Sequence, residues 1–293
     1  MIRYRKLLNL IAGLFAALSI SAVQAETPHI AVSIHPLQLI AFDLLGESVV
    51  VEQIMTTSDD PHHHNLTFAQ LKKLEQVDVI FWMGPKLEVS LSKVMQANVH
   101  AQALLPILME KELSNRDRVN GRFTDDLHLW MDPEYGIAIA TQIVKELSHR
   151  WPQQSRLWQE KLESFQQRIR KTDNAISEHL LTFGKARFIA SHNAFSHFAA
   201  YYGLVALGSM HDHAGVKVGP RTLTELLHQQ QVDCVIAEPE YRADARKMSA
   251  RLGVTLVEID PLGRNQEAVS NAYQQFLLGV AEGFKRCKQQ FQQ

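Results

Sequence analysis

Val49-Val50-Val51-Glu52-Gln53-Ile54-Met55 runs towards Asp60-Pro61-His62-His63-His64, and a helical pattern opens at Leu66-Thr67. A β-branched run, a polar turn and then a helix form the repeating unit of an open α/β sheet. Ligands of such sheets lie beyond the carboxyl ends of the strands. Other stretches read in the same way. His128 opens His-Leu-Trp-Met-Asp-Pro, His192 ends Ala186-Arg187-Phe188-Ile189-Ala190-Ser191, and Asp260 ends Val254-Thr255-Leu256-Val257-Glu258-Ile259. Three imidazoles and a carboxylate delivered to strand ends suit a tetrahedral site for a borderline ion such as Zn²⁺.

The first half alternates strands and helices. Strands are predicted at His29 to Ile34, Val49 to Met55, Val77 to Met83 and Ala103 to Leu108. Helices are predicted at Pro36 to Leu45, Thr67 to Gln76, Leu87 to Gln96 and Pro133 to Arg150. Val77 to Met83 is apolar throughout, the pattern of a strand covered on both faces. The second half has strands at Ala186 to Ala190, Val232 to Ala237 and Val254 to Ile259, with helices at Ala194 to Tyr202, Arg221 to Gln230, Arg242 to Leu252 and Glu267 to Arg286. Such alternation implies parallel sheets. Between the halves, Gln153 to Leu181 carries Trp158, Leu162, Phe165, Ile169, Ile176 and Leu180 at mostly helical intervals. A helix of that length spans roughly 40 Å, which suits a spine between two lobes; the alternative is one long helix packed on a single domain.

The amino terminus reads as a signal peptide over residues 1–25. Arg3, Arg5 and Lys6 precede an apolar stretch, and Val23-Gln24-Ala25 resembles a cleavage site. Without those three cations the formal charge falls from −1 to −4, which lacks the basic footprint of nucleic-acid binding. The two cysteines, Cys234 and Cys287, are an even number in an exported chain, which points to a disulfide, with two buried thiols as the alternative.

The ordered set of motifs is more specific than any one of them. Pro61-His62 to Leu74, with Trp82-Met83-Gly84-Pro85-Lys86-Leu87-Glu88, resembles the first ligand region of the cluster A-I solute-binding proteins of ABC transporters. His128-Leu129-Trp130-Met131-Asp132-Pro133, Ser191-His192-Asn193-Ala194-Phe195, Ala237-Glu238-Pro239 and Asp260-Pro261-Leu262-Gly263 resemble the zinc, ZnuA-type, branch of that family. The resemblance implies two lobes, each a mainly parallel sheet flanked by helices, joined by one long spine helix, with metal in the inter-lobe cleft. It divides the chain into the leader, a lobe at 26–152, a spine at 153–182 and a lobe at 183–293. It matches His62, His128, His192 and Asp260 to the four ligand positions, and Cys234 and Cys287 to the family's late cysteine pair. Manganese-binding relatives typically carry Glu where this chain has His192, and imidazole suits zinc better than manganese.

One feature of many zinc-branch members is missing. The segment Lys111 to Leu127 has acids but no histidine, where relatives carry a His-rich loop. His63, His64, His211 and His213 form an auxiliary set that partly replaces it; the last two lie in a glycine-rich loop, Gly208 to Gly219, after a further predicted strand. The plainer reading of all four is as surface histidines. The resulting expectation is a monomeric periplasmic carrier, without catalysis, that takes Zn²⁺ as cargo to a membrane permease. A manganese or broad divalent-metal carrier is the first rival. A secreted zinc hydrolase is the second, disfavoured because no His-Glu-x-x-His helix is present.

Overall fold

The computed structural model describes residues 27–111, 126–229 and 231–289. The expected leader, and residues 112–125 of the acid-bearing segment, lie outside them. The first sheet runs in the order β2-β1-β3-β4, with β1 His29–Val32, β2 Val50–Gln53, β3 Val79–Trp82 and β4 Ala101–Ala103. The second runs β6-β5-β7-β8, with β5 Arg187–Ala190, β6 Val205–Ser209, β7 Cys234–Ala237 and β8 Thr255–Glu258. Every pairing is parallel. β3 and β7 are buried along their whole length, as unbroken apolar runs require. Both sheets reverse strand order beside their first strand, between β1 and β3 and between β5 and β7, and such switch points open a crevice for ligand.

Helices α1 His35–Leu45, α2 Phe68–Leu74 and α3 Ser92–Ala97 connect the first strands. Pro36 sits in the first turn of α1, and Gly46 follows its end at φ 56°. Thr67 and Gln70 form a reciprocal capping box that fixes the start of α2 just after the His62 loop. The expected strand Ala103 to Leu108 is corrected: β4 stops at Ala103, and Leu104–Lys111 is helix α4. A short apolar run does not reveal its own period. Leu104, Leu105 and Leu108 are buried at helical spacing, and Pro106 is tolerated in a first helical turn. The helix expected from Leu87 begins at Ser92, after a 3₁₀ turn at Val89–Leu91.

Helix α5, Pro133–Arg150, starts at Asp132, whose side chain accepts from the Glu134 N–H at 2.8 Å. Helix α6, Ser155–Phe183, is the long spine. Trp158, Leu162, Phe165, Ile169, Ile176 and Leu180 are all buried on one stripe, each contributing roughly 1.5–3 kcal/mol. Helices α7 Ser196–Tyr202, α8 Pro220–Leu227, α9 Arg242–Leu252 and α10 Ala272–Gln289 complete the second half. One apolar core runs without interruption from the first sheet through the spine to β5, β7 and α10, and a smaller cluster covers the outer face of the second sheet. α5 and α10 meet at Gly136, where any Cβ would overlap the Tyr273 ring.

Cys234 of β7 is bonded to Cys287 of α10, Cα atoms 5.3 Å apart. Closing that loop stabilises by about 4 kcal/mol in the chain-entropy model. Replacing both cysteines by alanine should lower unfolding free energy by about that amount in urea melts, and an unchanged midpoint would show that the bridge contributes nothing.

Glu88 is fully buried beside the first sheet, where its carboxylate accepts from the Gly84 N–H at 3.1 Å. Burial lifts its pKa from 4.5 to about 7, against the pull of this hydrogen bond. The folded protein therefore retains a proton that the unfolded chain loses above pH 4.5. Stability associated with Glu88 is intact below that pH and declines as pH rises towards 7, by about 3 kcal/mol. Glu88→Gln should gain stability over wild type across this window; parallel pH profiles of the two proteins would rule the effect out.

Candidate metal centre

The fold brings His62, His128 and His192 together. Their ligand nitrogens all lie within 4.8 Å of one another, and no other group of three or more such residues occurs among the described residues. Ring centroids are separated by 5.5 Å for His62 and His128, 5.3 Å for His62 and His192, and 5.0 Å for His128 and His192. His62 is half-buried in the loop after β2, where its N–H donates to Asp60 Oδ1 at 2.9 Å. His192 lies two residues past β5 at the second sheet's switch point. His128 does not sit at a strand end as its motif suggested. It precedes the 3₁₀ turn Leu129–Met131 that leads into α5.

Each of the two buried imidazoles has a carboxylate behind it. His128 Nδ1–H donates to Asp126 Oδ1 at 2.8 Å. His192 Nδ1–H donates to Glu238 Oε1 and Oε2 at 3.1 and 3.3 Å. Such a bond sets the tautomer, leaves Nε2 as the lone-pair donor and raises its basicity. His192 Nε2 is buried and has no hydrogen-bond partner. An orphan of this kind costs about 1–3 kcal/mol unless something fills its lone pair.

The electrostatics differ from one imidazole to the next. Burial, then the charges His128 and His192 would carry, push His62 down to about 3. Burial also pulls His192 down, but Glu238 outweighs it and leaves the imidazole above its ordinary value. Burial pushes Asp126 up, yet its bonds and charge interactions with His128 and His197 hold it far below the usual carboxylate range. Burial and neighbouring positive charge thus disfavour a proton on His62, whereas a single metal ion could be shared by the lone pairs of all three rings.

The remaining candidates are placed differently. Asp260 is not in the triad group: Oδ1 accepts from Leu262 N–H at 3.0 Å and Arg264 Nη1 at 2.8 Å, and Oδ2 accepts from Arg264 N–H at 2.8 Å. His64 is engaged at both ring nitrogens, with Gln70 at 3.0 Å and Asp59 at 3.1 Å. His211 is buried, donates from Nδ1 to Ser191 O at 2.8 Å and lies 4.3 Å from the Tyr241 ring. His63 is exposed against the Gly215 loop, and His213 is half-buried. The four do not form a cluster of their own. Sequence reading quoted Glu238 without giving it a role and missed Asp126, Glu240, Tyr241 and Arg264, of which the last three line the cleft. Only the Asp126-Leu127-His128 spacing offered a signal.

A histidine triad between two parallel-sheet halves defines a solute-binding protein for a metal ion. The family model described as zinc-uptake complex component A, periplasmic (ZnuA), matches residues 30–287, and the chain belongs to that family. Its members are solute-binding proteins and not enzymes, which sets the hydrolase reading aside. A high-affinity zinc uptake system protein ZnuA from Haemophilus ducreyi is 24% identical over 283 residues, covering 87% of this chain and 91% of that one. A crystal structure of ZnuA superposes with a TM-score of 0.74 at 20% identity, covering 90% of this chain and all of the other. The solute-binding protein FpvC from Pseudomonas aeruginosa, in complex with Mn²⁺, gives 0.75 at 14% identity over 91% of this chain and 100% of that one. The last two show a shared fold.

Asp126→Asn and Glu238→Gln should each weaken metal binding by roughly 10- to 100-fold while circular dichroism stays native. Chelator competition measures this, and wild-type affinity in both variants would show that the carboxylates do not tune the imidazoles.

Proposed function

We propose that this chain binds Zn²⁺ through His62, His128 and His192 and carries it to the membrane permease of an ABC importer. The observation that carries the reading is a ligand set of three imidazoles with no carboxylate among them. Nitrogen donors suit zinc, whereas manganese favours carboxylate oxygen. Zinc–nitrogen bonds of about 2.0–2.1 Å at tetrahedral angles place ligands about 3.3 Å apart, so the triad closes slightly around the ion. The fourth position faces the cleft, where water completes it; Asp260 enters the set only if it parts from Arg264.

The zinc uptake proteins among the relatives and the family's periplasmic description support the cargo, the permease and the compartment. In this reading residues 1–25 are the cleaved leader, 26–152 and 183–293 are the lobes, 153–182 is the spine, and the carrier is a monomer. His63, His64, His211 and His213 supply weaker secondary capture. Manganese is the rival cargo, and a paired Zn²⁺ and Mn²⁺ titration separates the two.

His62→Ala, His128→Ala and His192→Ala should each abolish tight zinc binding in calorimetric titration while the protein stays folded. Undiminished affinity in His192→Ala would exclude the assignment.

A further inference from the structure

We propose that Arg264 determines metal specificity by withholding two carboxylates, Asp260 and Glu240, from the ion. The inference rests on the triad reading above. Arg264 and Glu240 line the same cleft as the three histidines. The guanidinium divides its fork between the two acids: Nη1 donates to Asp260 Oδ1 at 2.8 Å, and Nη2 donates to Glu240 Oε1. All three side chains are largely shielded, at 14% exposure for Arg264, 16% for Asp260 and 33% for Glu240. One cation thus satisfies two anions at the edge of the metal pocket.

Arginine does not lose its charge at accessible pH, and its planar fork holds two acceptors in fixed directions. The lock therefore holds wherever the two carboxylates are ionised, and the ion then meets imidazoles alone. Without the guanidinium, Asp260 keeps its bonds from the Leu262 and Arg264 backbone N–H groups, so the Asp260-Pro261-Leu262-Gly263 turn persists. Glu240 loses its charge partner while still largely shielded. A dication in the triad then becomes the available counter-charge, and carboxylate oxygen enters its coordination shell. Oxygen donors favour a harder ion such as Mn²⁺ relative to zinc.

The test is competitive titration of wild type, Arg264→Gln and Arg264→Lys with Zn²⁺ and Mn²⁺, folding being checked by circular dichroism. Arg264→Gln should shift the preference towards Mn²⁺ by roughly 10- to 100-fold. Arg264→Lys, which keeps the charge but not the fork, should shift it in the same direction by less, and serves if the glutamine variant does not fold. Adding Glu240→Gln and Asp260→Asn to Arg264→Gln should remove the gain. An unchanged preference in the folded variants, or a gain that survives loss of both acids, overturns the proposal. Wild type that binds neither ion, or His192→Ala that binds zinc as wild type does, overturns the triad reading instead.

Discussion

The Asp126 carboxylate is the interaction on which the geometry of the site depends. Oδ1 takes the His128 Nδ1–H, and Oδ2 takes the Ser196 N–H at the first residue of α7. The Asp126 carbonyl accepts from His197 Nε2 at 2.7 Å. A single residue upstream of α5, Asp126, is thus bonded to the helix that follows His192. The orientation of a first-half imidazole and the seating of a second-half helix are set by the same group. A charged acceptor at a helix N-terminus is also favoured by the orphan N–H groups there.

Other polar bonds cross between the halves and leave the apolar core to supply cohesion. Asp43 of α1 is buried; its Oδ1 accepts from Arg168 of the spine at 2.8 Å and from Asn271 N–H at 3.2 Å, and its Oδ2 accepts from Gln274 at 3.4 Å. Asn271 holds a left-handed φ of 68° just before α10, a conformation asparagine tolerates better than most residues. Trp130 Nε1 donates to Pro261 O at 2.7 Å, and Tyr273 OH donates to Trp130 O at 2.8 Å. The 3₁₀ turn after His128 is therefore fastened to the Asp260 turn and to α10 at once. A buried charge with too few partners would be costly. Asp43 avoids that cost by taking donors from both the spine and the start of α10.

The strands and long helices were legible because their periods are strong. α5 was read with its observed limits, and the spine within two residues at each end. Leu104 to Leu108 failed because five residues are too few to separate a buried strand from a helix. Three histidines were legible from their motifs, and the fold brings them together. Their orientation was not, because it depends on Asp126 and Glu238, whose partners are settled by backbone paths far apart in sequence. Asp260 shows the same limit. Its type and position match a ligand, but Arg264, four residues on, takes up its carboxylate, and a motif does not reveal which of two partners wins.

Two carboxylates buried behind the imidazoles make a locally acidic arrangement. Asp126 and Glu238 are 2% and 4% exposed, and a buried anion is unfavourable unless it is bonded and matched by positive charge. The imidazole N–H groups provide the bonds. In the proposed reading, a divalent ion on the far side of the rings would add positive charge and polarise each N–H further towards its acid. Carboxylate, imidazole and ion would then form one chain of reinforcing interactions, a reason for acids at positions where an apolar residue would pack at lower cost. An ion that binds the folded arrangement and not the unfolded chain would add its binding free energy to the stability of the fold. The residues proposed to hold the ion would therefore also tighten the contact between the two halves.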